Sequence, residues 1–206
     1  MNLPNRLTLA RICLIPFIIF IPLVPFFNNV VLFGDVKLNT QFTLENLIVL
    51  IIFVVGAFAD FLDGYIARKH HLITDFGKFM DPLADKLLVL AALIVLLERG
   101  RMEAFGFSLG FVVTLILARE FMVTGIRLIA ASDHLVIAAS KLGKFKTISQ
   151  MALIIILLLN GYPFTLLGSL AQDIVSLTLI VLAGGLTIIS GVDYFWKNKD
   201  IILKNK

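Results

Sequence analysis

Asp60-Phe61-Leu62-Asp63-Gly64-Tyr65-Ile66-Ala67-Arg68, followed after eight residues by Gly77-Lys78-Phe79-Met80-Asp81-Pro82-Leu83-Ala84-Asp85, sets two pairs of aspartates at the ends of long apolar runs. Asp60 and Asp63 are three apart and Asp81 and Asp85 four apart, so on helices each pair shares one face. A short turn between the runs can bring the pairs together. Asp60 precedes Arg68 by eight residues, which at about 1.5 Å per residue puts its carboxylate roughly 12 Å below the arginine. An unpaired carboxylate inside a bilayer costs about 2.5–3.5 kcal/mol on insertion scales, and four close together also repel one another. Protonation can relieve one or two of them. Divalent cations do better: a cluster of carboxylates without cysteine or histidine suits hard ions such as Mg²⁺ or Mn²⁺, and two such ions balance four acids.

The rest of the chain fits a lipid setting. Apolar residues make up 59% of the 206 and charged ones 16%, against about 45–50% and 25% in ordinary soluble proteins. With a mean hydropathy of +0.99, a water-exposed globule and a disordered chain are both excluded. Windows of about 20 apolar residues predict an all-α polytopic membrane protein with six spans, near 10–33, 45–68, 82–98, 104–130, 145–160 and 174–195. Helices are the expected spanning form because lipid offers no partner for backbone polar groups. The chain reads as a single membrane domain over 1–206, with no internal repeat or flexible linker.

Six spans leave Lys37, Arg99 and Arg101 on one side and the other fifteen of the eighteen basic residues on the opposite one. The excess of cations predicts that both termini face the cytoplasm. The net charge of +4 is spread along helix ends, which favours anionic headgroups or phosphorylated substrates as partners over nucleic acid. Arg6 and Arg11 before an apolar stretch imitate a signal peptide. No small-residue cleavage pattern follows, and Pro16, Pro22 and Pro25 interrupt the run, so a retained first helix is expected. Cys13 lacks an intrachain partner and reads as a small apolar residue. The polar stretch 34–45 reads as an outer loop. His70, His71 and His134 read as solvated, Tyr194 and Trp196 beside Lys197 as an interfacial anchor, and Asp173 and Asp193 as helix-end residues.

The full spacing, Asp-x2-Asp-Gly-x2-Ala-Arg-x8-Gly-x3-Asp-x3-Asp, is similar at every fixed position to the signature of the CDP-alcohol phosphatidyltransferases. That resemblance extends over the whole chain. It implies a six-helix enzyme of the bacterial cytoplasmic membrane, usually a homodimer, with its active site facing the cytoplasm. Such enzymes cleave the pyrophosphate of CDP-diacylglycerol, join the phosphatidyl group to an alcohol and release CMP. By residue-for-residue match, Asp60, Asp63, Asp81 and Asp85 would hold two divalent cations, Mg²⁺ or Mn²⁺, and Asp85 would also be the general base. The opening Pro4-Asn5-Arg6-Leu7-Thr8-Leu9-Ala10-Arg11 resembles that of bacterial members, where Asn5 and Thr8 help hold the nucleotide. Gly64, Ala67, Arg68, Thr74 and Gly77 complete the implied donor set. From spacing alone, Thr8 and Thr74 read as helix or turn caps, and the small residues as helix packing.

Arg119, Glu120 and Arg127 lie within an otherwise apolar run, and Lys141, Lys144 and Lys146 open the next. Arg119 and Arg127 are about two turns apart and can face one cavity. A pocket with several cations predicts an acceptor that carries a phosphate. Most of the lysines also fit a plain cytoplasmic flank, whereas Arg119 lies too deep for one. Residues 118–127 and 139–150 resemble the family branch that takes sn-glycerol 3-phosphate, so the acceptor-phosphate set is expected to be Arg119, Arg127, Lys141, Lys144 and Lys146. Inositol phosphate, phosphatidylglycerol and serine are the competing acceptors. A cation transporter is the alternative from another class, and it requires acids across the whole bilayer.

Overall fold

The computed structural model describes residues 2–34, 41–69, 75–132, 135, 137 and 140–202. The chain forms α1 (Leu3–Phe20), a 3-10 turn (Ile21–Leu23), α2 (Pro25–Asn29), β1 (Val31–Phe33), β2 (Phe42–Thr43), α3 (Leu44–Lys69) and α4 (Asp75–Glu98). It continues through β3 (Glu103–Ala104), β4 (Phe107–Ser108), α5 (Phe111–Ser132), α6 (Lys141–Leu158), a second 3-10 turn (Phe164–Leu167) and α7 (Ser169–Ile202). The protein is mostly helical, as expected, with two small antiparallel hairpins added.

Two of the expected spans are corrected. The first was placed at 10–33, but α1 starts at Leu3, where Asn2 caps it by accepting the Asn5 amide at 3.4 Å, and it ends at Phe20. Pro22 and Pro25 supply no amide to continue it, and Val31–Phe33 turns into a strand paired with Phe42–Thr43. The fourth was placed at 104–130. Here Phe105 and Gly106 both take positive φ, 52° and 74°, the geometry of a two-residue hairpin turn, and α5 begins only at Phe111.

Among the described residues, three helices are long and apolar enough to cross a membrane, within Pro4–Leu23, Leu44–Ile66 and Ser169–Lys199. The long helices that fall short, α4, α5 and α6, are those interrupted by charge: Asp81, Asp85 and Lys86; Arg119, Glu120 and Arg127; Lys141, Lys144 and Lys146. These charges break up the apolar runs, and all of them except Lys141 belong to the site described below.

α1 lies along α3 and α4, and α7 lies along α5 and α6. Ile18, Phe53, Ala92, Leu93, Ile116, Leu153, Ile154, Ile180 and Ala183 are fully buried and form one core. At the end opposite the aspartates, Arg99 donates from Nε to buried Glu45 at 3.1 Å and from Nη2 to the Pro22 carbonyl, tying the ends of α4, α3 and α1 together. On α7, Gly184 and Gly191 are seven apart and face α5. A Cβ at Gly184 would stand 3.1 Å from Val112 Cγ1 and one at Gly191 3.0 Å from Arg119 Cγ, so the missing side chains let the two helices approach closely.

Candidate active site

α1 carries Thr8 and Arg11 on one face into the angle between the end of α3 and the start of α4. Both are fully buried. Arg11 donates from Nη1 to Asp60 Oδ1 and from Nη2 to Asp63 Oδ2 at 2.7 Å, and Nη2 stands 3.9 Å from Asp81 Oδ1. The Thr8 hydroxyl is 2.5 Å from Asp81 Oδ1, 3.2 Å from the Pro4 carbonyl and 3.5 Å from Asp63 Oδ2. Thr8 is therefore not a cap, a role that belongs to Asn2; it is a donor within the acidic cluster. Arg11, grouped above with the cytoplasmic flank, is instead the central cation of that cluster. The signal was present in the three-residue step from Thr8 to Arg11, which puts both on one helix face.

Asp60, Asp63 and Asp81 all lie within reach of the Arg11 guanidinium. Among the described residues, no three His, Cys, Asp or Glu side chains stand close enough together to hold a metal ion. The donor chemistry nevertheless fits one. Among the described residues one guanidinium lies within reach of three carboxylates drawn from two helices, so one positively charged centre can be shared by all three, and the atoms they offer are hard oxygens. Of the expected donor contacts, Asn5 and Gly77 are buried, and Gly64 lies one residue beyond Asp63 on α3. Thr74 and the side chains of Ala67 and Arg68 lie outside the described residues, as do His70, His71, His134 and residues 35–40 of the polar stretch.

Asp85, one turn along α4 from Asp81, lines a cavity of about 410 Å³. The basic wall comes from Lys86 on α4, Arg119 and Arg127 on α5, and Lys144 and Lys146 on α6. Four of the five expected acceptor cations thus meet in one space with Asp85. Lys141 is the exception: it is exposed and does not line the cavity. Five residues turn a helix by roughly 140°, so Lys141 and Lys146 point from different faces of α6.

Several contributors to the cavity were not foreseen. Lys86 lines it, and its ammonium donates to Thr124 Oγ1. Tyr194, expected as an interfacial anchor, is 3% exposed; its hydroxyl accepts from Arg127 Nε at 3.2 Å, and the guanidinium carbon stands 5.7 Å from its ring centroid. Trp196, two residues on, is exposed, because only one face of α7 meets α5. Arg119 Nε is buried without a hydrogen-bond partner among the described residues. Glu120 gathers cations from two other helices, accepting from Lys146 Nζ and from Arg119 Nη1 at 3.0 Å, with Lys86 Nζ at 4.0 Å. An acidic cluster thus adjoins a basic cavity, with Asp85 at the junction. The arrangement can hold an anion and present a carboxylate to a group attached to it.

The family model for CDP-alcohol phosphatidyltransferase matches residues 1–189. The CDP-diacylglycerol--glycerol-3-phosphate 3-phosphatidyltransferase of Bacillus subtilis (strain 168) is 43% identical over 197 residues, covering 96% of this chain and 95% of that protein. The protein of the same name from Rickettsia typhi is 40% identical, covering 94% and 95%. A CMP-forming cardiolipin synthase from Oryza sativa is 38% identical over 167 residues, covering 74% of this chain and 49% of that protein.

Proposed function

The chain belongs to the CDP-alcohol phosphatidyltransferase family, and from that premise we propose that it transfers the phosphatidyl group of CDP-diacylglycerol to sn-glycerol 3-phosphate, yielding phosphatidylglycerophosphate and CMP. The observation that carries this reading is the cavity in which Asp85 faces Arg119, Arg127, Lys144 and Lys146. Those cations suit a phosphate on the acceptor, and Asp85 is placed to meet its alcohol. Serine, which has no phosphate, leaves them without a role, and family membership sets aside the transporter.

In the reaction the primary hydroxyl oxygen of the acceptor attacks the phosphatidyl phosphorus, and the bond from that phosphorus to the CMP oxygen breaks. Asp85 takes the hydroxyl proton as the new bond forms, since an alcohol is a weak nucleophile at neutral pH. Arg119, Arg127, Lys144 and Lys146 hold the acceptor phosphate and so fix the hydroxyl near the carboxylate. Two divalent cations, Mg²⁺ or Mn²⁺, held by Asp60, Asp63, Asp81 and Asp85, would supply electrostatic stabilisation of the pyrophosphate. Asn5, Thr8, Gly64, Ala67, Arg68, Thr74 and Gly77 form the donor side in this reading. The enzyme acts as a single domain, with α1 and α3–α7 as six spans, both termini and the site at the cytoplasmic face of a bacterial membrane, and a homodimer as its working form.

Purified protein given CDP-diacylglycerol, sn-glycerol 3-phosphate and Mg²⁺ is expected to release CMP, and silence with every divalent ion tried rejects the reading. Inositol phosphate, phosphatidylglycerol and serine offered in competition identify the acceptor. Tyr194→Phe keeps the ring but removes the oxygen that holds Arg127. A hydrogen bond to a charged group contributes about 1.5 kcal/mol or more, so KM for the acceptor is expected to rise about tenfold with kcat within about twofold of the parent. Initial-rate kinetics at saturating donor make that separation.

A further inference from the structure

An anion-binding cavity gains nothing from an acid, yet two carboxylates line this one. Asp85 has a role in the proton transfer; Glu120 does not. Its side chain is 14% exposed, and its two oxygens differ. Oε1 accepts from Arg119 Nη1 and Lys146 Nζ. Oε2 accepts no hydrogen bond among the described residues. Lys86 Nζ stands 4.0 Å from it and donates to Thr124 Oγ1. Thr124 in turn donates to the Glu120 backbone carbonyl at 2.7 Å, so the arrangement is held on the helix itself.

Glu120 therefore keeps one oxygen pinned between cations, and the other, which accepts no hydrogen bond among the described residues, is left for a ligand of the cavity that Glu120 lines. A phosphate oxygen would be repelled there; a hydroxyl would be bound. We propose that Glu120 is a specificity-determining residue that accepts a hydrogen bond from the secondary hydroxyl of a three-carbon polyol phosphate, next to the hydroxyl that reacts. The proposal rests on the acceptor reading above and adds the group that reads the acceptor's middle carbon. A site built to bind a hydroxyl discriminates strongly against the analogue without it, because the buried partner is then left unpaired. The same two cations that Oε1 holds remain available to the phosphate, so a single side chain orients both ends of the acceptor.

The experiment compares kcat/KM for sn-glycerol 3-phosphate and for 3-hydroxypropyl phosphate, which has the reacting hydroxyl and the phosphate but no secondary hydroxyl. The wild type is expected to prefer the natural compound by at least about 100-fold. In Glu120→Ala the preference falls to within about tenfold, and Glu120→Gln, whose amide oxygen can still accept, lies between. Both compounds are measured on one preparation, so any loss of folded protein cancels in the ratio. Where a variant turns over too slowly, the ratio of dissociation constants for the two phosphates is read instead. If Glu120 only orders Lys146 and Arg119, both compounds weaken equally and the ratio stays at its wild-type value, which overturns the inference while leaving the transferase intact. If the wild type releases no CMP with either compound, the acceptor reading falls and the inference with it.

Discussion

Replacement of Asp85 by Asn is expected to lower kcat by about 10³-fold, within the 10²–10⁴ that a positioned general base contributes. The amide has nearly the shape of the carboxylate, so the cavity that Asp85 shares with Arg119 and Lys146 keeps its walls. What it loses is the capacity to take a proton from the attacking hydroxyl. CDP-diacylglycerol affinity, followed by equilibrium binding in detergent, is expected to stay within about threefold of the parent, since Asp60, Asp63 and Asp81 are untouched. A variant with full turnover refutes the assignment of the base. Donor binding lost together with turnover instead makes Asp85 chiefly a donor-site residue.

The second large effect falls on stability. Arg11→Met removes the one guanidinium that, among the described residues, stands between three carboxylates, while keeping an unbranched side chain of similar reach. Breaking a buried ion pair by deleting one partner costs about 3–5 kcal/mol. The Arg11–Asp63 pair is buried on both sides, whereas the side chains of Asp60 and Asp81 are 42% and 41% exposed and add less. A loss near 3 kcal/mol is therefore expected for protein held in chelator, with thermal unfolding in detergent as the measurement. Mg²⁺ or Mn²⁺ is expected to return part of that loss, because either ion can serve the same acids. An unchanged melting curve in chelator shows that Arg11 does not neutralise them.

The acidic faces of α3 and α4 were legible because residue spacing fixes angular position on a helix, whatever the helix packs against. So was the meeting of Arg119 with Arg127. The hairpins were not. Phe105, Phe107 and Leu109 carry apolar side chains straight into α5, and the turn depends on positive φ at Phe105, a residue type that gives no warning of it; Gly106 was the hint. Lys141 and Lys144 look alike as letters, and only the rotation of α6 against α4 and α5 admits one to the cavity and leaves the other outside. Tyr194 was masked by Trp196 and Lys197, which invite an interfacial reading for the whole group. Gly191, three residues earlier and pressed against Arg119, marks the face that α7 turns inward, but a glycine reveals nothing until its neighbour is known.

α7 runs 34 residues, about 51 Å at helical rise, well beyond the roughly 30 Å of a hydrocarbon layer. A rod of that length answers a thicker or thinner bilayer by leaning. Gly191 and Tyr194 ride on it, one against Arg119 and the other holding Arg127. In the proposed reading, acyl-chain length in the surrounding lipid would have a mechanical route to both arginines, and through them to the hold on the acceptor.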